Sequence, residues 1–376
     1  MSRSPYSPAP PVSGIAGADG PIRAVAWWDG APGTAPGRGQ AVPDRPGVRL
    51  LDQTALPQDE RYLVADTVDA LVDAIRRLVV RGAPALGAAG ALGVALALHQ
   101  AEREGWDAAR RDGEIARIRD ARPTAVNLAA AVDAAARHLP AGAPAVLAFA
   151  ARLVAEDERA NRTLSTFGAD WILARTGTRP LRVLTHCNTG ALATAAWGTA
   201  LGIVRELHRR GLVDEVRVDE TRPLLQGSRL TAWELEREGI PYVVQVDAAA
   251  AFAVARGLVD VAVVGADRVT ANGDTANKIG TLAVALACRD RGVPFVVAAP
   301  WTSVDLETGD GAAIHVEQRP ADEVLSVGAP PGARADNPAF DVTPARLIDA
   351  LVTERGIVEP AADPGAVTGR LARLAP

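Results

Sequence analysis

Cys187 lies between a predicted strand and a predicted helix, a position that is suitable for a reactive thiol. The apolar run Leu181–Leu184 is typical of a buried parallel strand, and the alanine-rich stretch from 191 to 207 has helical composition. Cys187 lies between them. A helix N-terminus lowers the pKa of a nearby thiol and also binds phosphate. The pattern predicts acid–base or nucleophilic chemistry on an anionic small molecule; the alternative is that Cys187 is a small buried hydrophobic side chain.

A second group of polar residues follows a later apolar strand. Asp267 stands at the end of that strand, and Asn277 and Lys278 begin a stretch with the pattern of another helix. A carboxyl group withdrawn from water has a raised pKa, which suits it to exchange protons near pH 7. A lysine at a helix start is unfavourable unless an anion binds beside it. These residues therefore predict a proton-transfer group near a phosphate site, although Asp267 alone is also compatible with the cap of a turn.

Other segments offer ligands for a phosphate or a sugar hydroxyl. Arg81 and Gly82 precede a helix with Pro84 in its first turn, which supplies a fixed charge and a close backbone approach, although a capped helix with a solvated arginine has the same pattern. Arg122 stands at the start of another helix and is a second candidate anion ligand. Gln226 lies in a polar turn and could bind a hydroxyl. Taken alone, Arg122 and Gln226 are more typical of solvated surface residues.

The composition excludes several classes of protein. The 376 residues suffice for two domains, each with its own core. The formal net charge of −5 provides no electrostatic footprint for nucleic acid. Two cysteines, Cys187 and Cys288, can build neither a disulfide framework nor a multi-thiolate zinc site, so a reducing, cytoplasmic location is expected.

Two segments could be mistaken for targeting or membrane elements. Residues 1–20 are rich in Pro, Ser, Ala and Gly without an apolar core, which predicts a disordered extension and not a signal peptide. The uncharged run from Ala83 to Leu98 is too short, and too rich in Ala and Gly, for a membrane span. We therefore expect a buried helix with its glycines on a close-packing face, and no membrane partner.

The pattern of elements predicts an α/β protein with two domains. Residues 21–150 are expected to form a mostly helical N-terminal domain with a small β-sheet, 151–176 a linking helix, 177–358 a Rossmann-like parallel-sheet domain, and 359–376 a loose tail. The N-terminal domain is expected to hold two short strands between Ala24 and Asp52, and helices over 66–78, 83–104, 108–119, 126–138 and 145–161. The parallel sheet is expected to contain strands 182–185, 215–219, 242–246, 261–264 and 295–299, with a last helix over 343–353.

Four motifs, in this order, resemble the methylthioribose-1-phosphate isomerase family of methionine salvage. They read Arg-Gly-Ala-Pro-Ala-Leu-Gly from Arg81, Thr-His-Cys-Asn-Thr-Gly-Ala-Leu-Ala-Thr around Cys187, Asp-Glu-Thr-Arg-Pro-Leu-Leu-Gln-Gly-Ser-Arg-Leu-Thr around Gln226, and Gly-Ala-Asp-Arg-Val with Asn-Lys-Ile-Gly-Thr after Asp267. Leu-Asp-Gln-Thr-Ala-Leu-Pro from Leu51 is similar to its N-terminal signature. The wider group includes ribose-1,5-bisphosphate isomerases and regulatory subunits of a translation initiation factor's exchange complex. Those subunits lack the catalytic Cys and Asp pair that is present here.

The resemblance implies an aldose-to-ketose conversion of 5-methylthioribose 1-phosphate to 5-methylthioribulose 1-phosphate, without metal or organic cofactor. The phosphate on the anomeric oxygen prevents spontaneous ring opening, so the enzyme must open the ring. In this reading Asp267 protonates the ring oxygen, and Cys187 moves a proton between C2 and C1; a hydride shift with a supporting Cys187 is the alternative. The substrate-binding residues that the resemblance implies are Arg81, Gly82, Ala83, Arg122, Gln226, Asn277 and Lys278.

The resemblance leaves other substrates and a second class of protein open. No motif fixes the group that reads the 5-methylthio end, so 5-deoxyribose 1-phosphate and ribose 1,5-bisphosphate are alternative substrates. A non-catalytic regulatory subunit is the alternative from another class. The family also implies a homodimer.

Overall fold

A short antiparallel sheet opens the described part of the chain. The computed structural model describes residues 22–30, 43–122 and 126–375; the predicted extension over 1–20 lies outside them. Strands β1 (Val25–Trp28), β2 (Gly47–Leu51) and β3 (Tyr62–Ala65) form the sheet in the order β1-β2-β3. The two predicted strands are confirmed. The third was missed because its four residues merge in sequence with the apolar pattern of the next helix.

Five α-helices follow in the described part of the chain. The second of them was predicted to be buried and lies at their centre. Their bounds are α1 (Val68–Arg76), α2 (Ala83–Glu104), α3 (Ala108–Arg119), α4 (Val126–Ala136) and α5 (Gly142–Thr176). In α2, a side chain at Gly90 or Gly93 would approach Leu128 or Leu71 to less than 3 Å, so the glycines permit close packing. The predicted helix over 145–161 and the predicted linking helix are one continuous helix, α5. The division into domains stays a prediction.

Two helices, Ala83–Glu104 and Leu139–Thr176, are long and apolar enough to cross a membrane by length and composition. The first is 78% buried inside the protein, as predicted for a core helix. The second contains α5, which packs against α2 and α6. Both helices therefore contribute to the packing of a folded protein.

The remaining elements form two sheets and the helices that cover them. The strands are β4 (Leu181–Thr185), β5 (Val213–Asp219), β6 (Tyr242–Gln245), β7 (Val261–Gly265), β8 (Arg268–Thr270), β9 (Thr275–Lys278), β10 (Phe295–Ala298), β11 (Val304–Asp305), β12 (Phe340–Thr343), β13 (Ala350–Thr353) and β14 (Gly356–Val358). The helices are α6 (Ala200–Arg209), α7 (Ala232–Arg237), α8 (Ala249–Ala255), α9 (Thr281–Arg291), α10 (Asp322–Leu325) and α11 (Val367–Leu374).

The larger sheet has seven strands in the order β14-β13-β10-β7-β4-β5-β6. Its neighbours pair in parallel, except that β13 and β14 are antiparallel. All five predicted strands are present within two residues of the predicted bounds. The carboxyl ends of β4, β7 and β10 meet at one edge, where open α/β sheets bind ligands. The predicted α/β class is confirmed.

The C-terminal part differs from the prediction in two places. The predicted helix over 343–353 is wrong: Ala350–Thr353 is the buried strand β13, which extends the large sheet beside β10. Residues beyond 358 are not a loose tail, because α11 buries Val367 and Leu371 completely. A second sheet, in the order β11-β8-β9-β12, was not predicted. Its short polar strands, such as Thr275–Lys278, carry no apolar alternation that sequence analysis could detect.

Candidate active site

Cys187 lies in a turn just beyond the end of β4. Its backbone φ of +67° is in the left-handed region, which costs about 1–3 kcal/mol for a residue other than glycine. The surrounding contacts hold this conformation: its N–H donates to Thr221 Oγ1 at 2.8 Å, and its carbonyl accepts from Thr231 Oγ1 at 2.7 Å. The residue is 6% exposed. The turn is therefore fixed before any ligand binds.

The predicted helix from 191 to 207 is wrong in its first half. Helix α6 begins only at Ala200, and residues 188–199 form a loop. The amides of Ala191 and Leu192 donate to the carboxylate of Glu234, and the amide of Ala195 donates to Asp157. These carboxylates come from other helices and take the amides that a helix N-terminus would have presented to the thiol.

The thiol consequently has the opposite pKa shift from the one predicted. Burial raises the pKa of the Cys187 thiol, and the positive charges of Arg81 and Lys278 only partly offset this effect. The predicted lowering by a helix dipole is therefore wrong. The thiol is a neutral group near pH 7, poised beside two cations.

Arg81 is held against the Cys187 turn. Its Nη1 donates to Asn188 Oδ1 and its Nη2 to the Asn188 carbonyl, both at 2.9 Å. Helix α2 begins two residues later, with Pro84 in its first turn as predicted. Gly82 has a φ of +93°, and a Cβ there would lie 2.2 Å from the Ala193 carbonyl oxygen, so the close contact between the two segments requires glycine. The helix N-terminus and the guanidinium thus face the same loop.

Asp267 follows β7 and projects into the same cavity. Its backbone N–H donates to the Ala276 carbonyl on β9 at 2.9 Å, which fixes the turn between β7 and β8. Asp267 is exposed at the cavity, but the protein atoms packed around its carboxyl group disfavour the charged form and raise its pKa. Lys278, Arg81 and Arg122 act in the opposite direction. Asp267 is therefore able to hold a proton at a higher pH than an ordinary aspartate.

Asn277 and Lys278 end strand β9, so the prediction that they begin a helix is wrong; α9 starts at Thr281. Asn277 donates to Thr281 Oγ1 at 2.9 Å, and Lys278 Nζ donates to the Ala339 carbonyl at 2.7 Å. Burial lowers the pKa of Lys278, and the nearby Cys187 and Asp267 side chains only partly offset this effect. Lys278 therefore lies within electrostatic range of both groups.

One cavity unites most of the predicted site. Six of the nine predicted residues line it: Arg81, Gly82, Ala83, Cys187, Asp267 and Asn277. Lys278 and Arg122 do not line it, but the charge of Asp267 acts on both. Gln226 is buried and also does not line the cavity; its Oε1 has no hydrogen-bond partner among the described residues. The cavity thus combines a carboxyl group, a thiol and the N-terminal end of a helix.

Three residues near the site were missed. Asn188 stands beside Cys187 in the quoted motif, so its polar side chain within an apolar stretch was a usable signal. His186 is buried and bonds to Asp219 at 3.0 Å. Glu234 comes from α7 and gave no local signal. His186, Asp219 and Asp247 are close enough to hold a cation, but each already makes hydrogen bonds within the protein.

Comparisons with known proteins show which family the sequence matches. Residues 79–360 match the initiation factor 2 subunit family. A probable bifunctional methylthioribose-1-phosphate isomerase/methylthioribulose-1-phosphate dehydratase of Nocardia farcinica is 54% identical over 86% of the chain and 60% of that relative. Methylthioribose-1-phosphate isomerases of Anaeromyxobacter sp. strain K and Nitrosococcus oceani are 52% and 46% identical, over 83% and 90% of the chain and 90% and 94% of their own lengths.

Two solved structures have a similar fold. 5-Methylthioribose 1-phosphate isomerase from Pyrococcus horikoshii superposes with a TM-score of 0.79 at 34% identity, over 94% of this chain and 95% of that one. Subunit delta of the translation initiation factor eIF-2B from A. fulgidus has the same TM-score at 36% identity, over 94% and 99%. The fold is therefore shared by a protein named as an isomerase and a protein named as a translation initiation factor subunit.

Proposed function

The chain belongs to the initiation factor 2 subunit family, and from this membership and the site we infer that it is an aldose–ketose isomerase acting on 5-methylthioribose 1-phosphate. The product is 5-methylthioribulose 1-phosphate, and the reaction belongs to methionine salvage. The observation that carries this conclusion is that Cys187 and Asp267 line one cavity together with Arg81.

Ring opening is the first task of such an enzyme. The anomeric oxygen of the substrate carries phosphate, so the ring has no route to a free aldehyde. The raised pKa of Asp267 makes its carboxyl group a better proton carrier than an ordinary aspartate. We propose that it gives a proton to the ring oxygen as the bond from that oxygen to C1 breaks. The resulting positive charge at C1 prepares the transfer of hydrogen from C2.

The raised pKa of Cys187 favours a hydride shift over proton abstraction. A neutral thiol is a weak base, and removing a proton from carbon needs a thiolate. In the hydride route the hydrogen at C2 moves with its electron pair to C1, and the C2 hydroxyl returns a proton to the Asp267 carboxylate. Every atom and electron is then accounted for, and Cys187 supports the step by its shape and low polarity.

The phosphate is proposed to bind at the start of α2. The helix dipole at this end attracts an anion, and the Arg81 guanidinium adds a fixed charge. Asn277 in the cavity wall belongs to the proposed set of substrate-binding residues, together with Arg122, Gln226 and Lys278, which do not line the cavity. Gly82 and Ala83 supply backbone groups.

The cavity also has apolar lining residues, which favour an apolar 5-substituent. Ala193, Ala266 and Pro300 are among them, whereas Arg81 is the only cation that lines the described cavity. Purified protein should be assayed with 5-methylthioribose 1-phosphate, 5-deoxyribose 1-phosphate and ribose 1,5-bisphosphate. We expect kcat/KM for the methylthio sugar to exceed that for the deoxy sugar by about tenfold or more, as for one larger apolar group in a pocket. Preference for the bisphosphate would overturn the substrate assignment.

A non-catalytic regulatory subunit is the second candidate, and the similarity to the A. fulgidus subunit favours it. It predicts phosphate binding without turnover of any of the three sugars. The juxtaposition of Cys187 and Asp267 supports the enzyme instead, since a regulatory subunit has no use for this pair.

A homodimer in the cytoplasm is proposed for the intact protein. Exposed apolar side chains lie on and after the edge strand β6, among them Val246 and Phe252, and an exposed Leu286 lies on α9, which packs against α8. A second copy that covered this surface would remove it from water. Analytical ultracentrifugation of the wild type and of Phe252→Glu tests this: a dimer that dissociates in the variant supports it, and a monomeric wild type contradicts it.

A further inference from the structure

A fully buried glutamate stands behind the cavity. Glu234 on α7 is 0% exposed, and its carboxylate accepts hydrogen bonds from four donors. Asn188 Nδ2 donates to Oε1 at 2.8 Å, whereas the Ala191 amide and Arg205 Nη2 donate to Oε2 at 2.8 and 2.7 Å. The Leu192 amide also reaches Oε1 at 3.3 Å. The Glu234 carboxylate thus holds the loop that follows Cys187.

The contact with Asn188 has a directional consequence. A carboxylate only accepts hydrogen bonds, so the NH₂ end of the Asn188 amide faces Glu234 and its oxygen end faces away. That oxygen accepts from Arg81 Nη1, and the carbonyl of the same residue accepts from Nη2. The orientation of one side-chain amide therefore supplies one of the two hydrogen bonds that hold the guanidinium.

We propose that Glu234 is a positioning residue of this site: it orients Asn188 so that Asn188 holds Arg81 at the cavity. The inference rests on the proposed function in one respect, namely that Arg81 binds the phosphate group of the substrate. Gly190 fits this arrangement, because a Cβ at that position would lie 2.2 Å from the Glu234 carboxylate.

Glu238 offers a matched control. Its carboxylate, like that of Glu234, binds Arg205, at 2.6 and 2.7 Å. Among the described residues it makes no hydrogen bond to the loop after Cys187. Glu234→Gln and Glu238→Gln therefore both remove an ion pair with Arg205. Only Glu234→Gln also disturbs the hydrogen bond to Asn188.

The affinity of the full-length protein for inorganic phosphate, measured by calorimetry, tests the proposal without an assay of turnover. We expect Glu234→Gln to weaken binding at least tenfold and Glu238→Gln less than twofold. In an Arg81→Ala background, Glu234→Gln should add less than twofold, since the residue acts through Arg81. With the sugar substrate the same change should raise KM more than it lowers kcat.

Several results would overturn the proposal. One is an equal loss of phosphate affinity in Glu234→Gln and Glu238→Gln. Another is a loss of phosphate affinity on Glu234→Gln that is just as large in the Arg81→Ala background. If Glu234→Gln does not fold, Asn188→Ala replaces it and should weaken phosphate binding as much. Wild-type phosphate affinity in Asn188→Ala would also contradict the positioning role of Glu234. If the protein turns over none of the sugars but Glu234→Gln still weakens phosphate binding, the proposed function is wrong and the positioning role of Glu234 is supported.

Discussion

The Nε2 atom of His186 lies 2.8 Å from the carbonyl oxygen of Ile279. His186 precedes Cys187 and Ile279 follows Lys278, so this bond joins the two turns of the candidate site. A carbonyl oxygen only accepts, which places a proton on Nε2 and leaves Nδ1 facing Asp219 at 3.0 Å. Gly280 makes room for the ring, since a Cβ there would lie 2.7 Å from the imidazole.

Removal of this imidazole should destabilise the protein. Burial by itself lowers the pKa of His186, but the hydrogen bond and charge of Asp219 outweigh it and raise the pKa. His186→Ala would leave the Asp219 carboxylate buried without its cation, which costs about 3 kcal/mol of unfolding free energy. Urea denaturation measures this loss. His208→Ala, outside the site, serves as a control, and equal stability of the two variants would contradict the pairing.

Asp157 should make stability depend on pH. Burial raises its pKa from 3.8 to about 6, although it accepts from the Ala195 amide and from Asn161. Between these values the folded form holds one more proton than the unfolded chain, so its contribution to stability falls as pH rises and then stays level above about 6.

The comparison with Asp157→Asn isolates this effect, because the amide does not titrate. The unfolding free energy of the variant relative to the wild type should rise by about 3 kcal/mol between roughly pH 4 and pH 7. Urea denaturation at several pH values provides the measurement. A difference that is independent of pH would refute the shift.

Lys278 is the only lysine in the chain, so it can be observed alone. Burial lowers its pKa, and an added phosphate dianion should raise it again by favouring the charged amine. Protein labelled with ¹³C at the lysine ε carbon should give one signal, whose titration we expect below the ordinary range and at higher pH with phosphate present. A titration that phosphate does not move would argue against an anion site beside Lys278.

The hydride route makes an isotopic prediction. Substrate with deuterium at C2 should give product in which that deuterium is retained at C1, because the hydrogen never leaves as an exchangeable proton. Mass spectrometry of product formed in ordinary water measures retention. Extensive loss of deuterium to solvent would instead indicate proton abstraction through an enolate.

The sequence predicts those parts of the molecule that depend on local apolar patterns. Runs such as Leu181–Leu184 and Phe295–Ala299 are buried strands, and their carboxyl ends share one sheet edge. This is why Cys187 and Asp267, which are distant in the chain, could be expected together. The residues that resemble a known family added the substrate, which no periodicity could supply.

Features that depend on distant partners could not be predicted. The loop after Cys187 is alanine-rich and has the composition of a helix, but Glu234 and Asp157 bind its amides. The polar strand Thr275–Lys278 exists because it pairs with Phe340–Thr343. The rise in the Cys187 pKa follows from the burial that these contacts create. In each case tertiary contacts overrode local propensity.

Turnover of 5-methylthioribose 1-phosphate by Asp267→Asn, with substrate affinity measured in parallel, tests whether Asp267 is the proton donor of the reaction. Cys187→Ala should lower kcat as well, whereas Cys288→Ala, in the core away from the cavity, serves as the control. We predict that Asp267→Asn lowers kcat by about 100-fold or more while the sugar still binds. Wild-type kcat in both the Asp267 and the Cys187 variants would contradict the account.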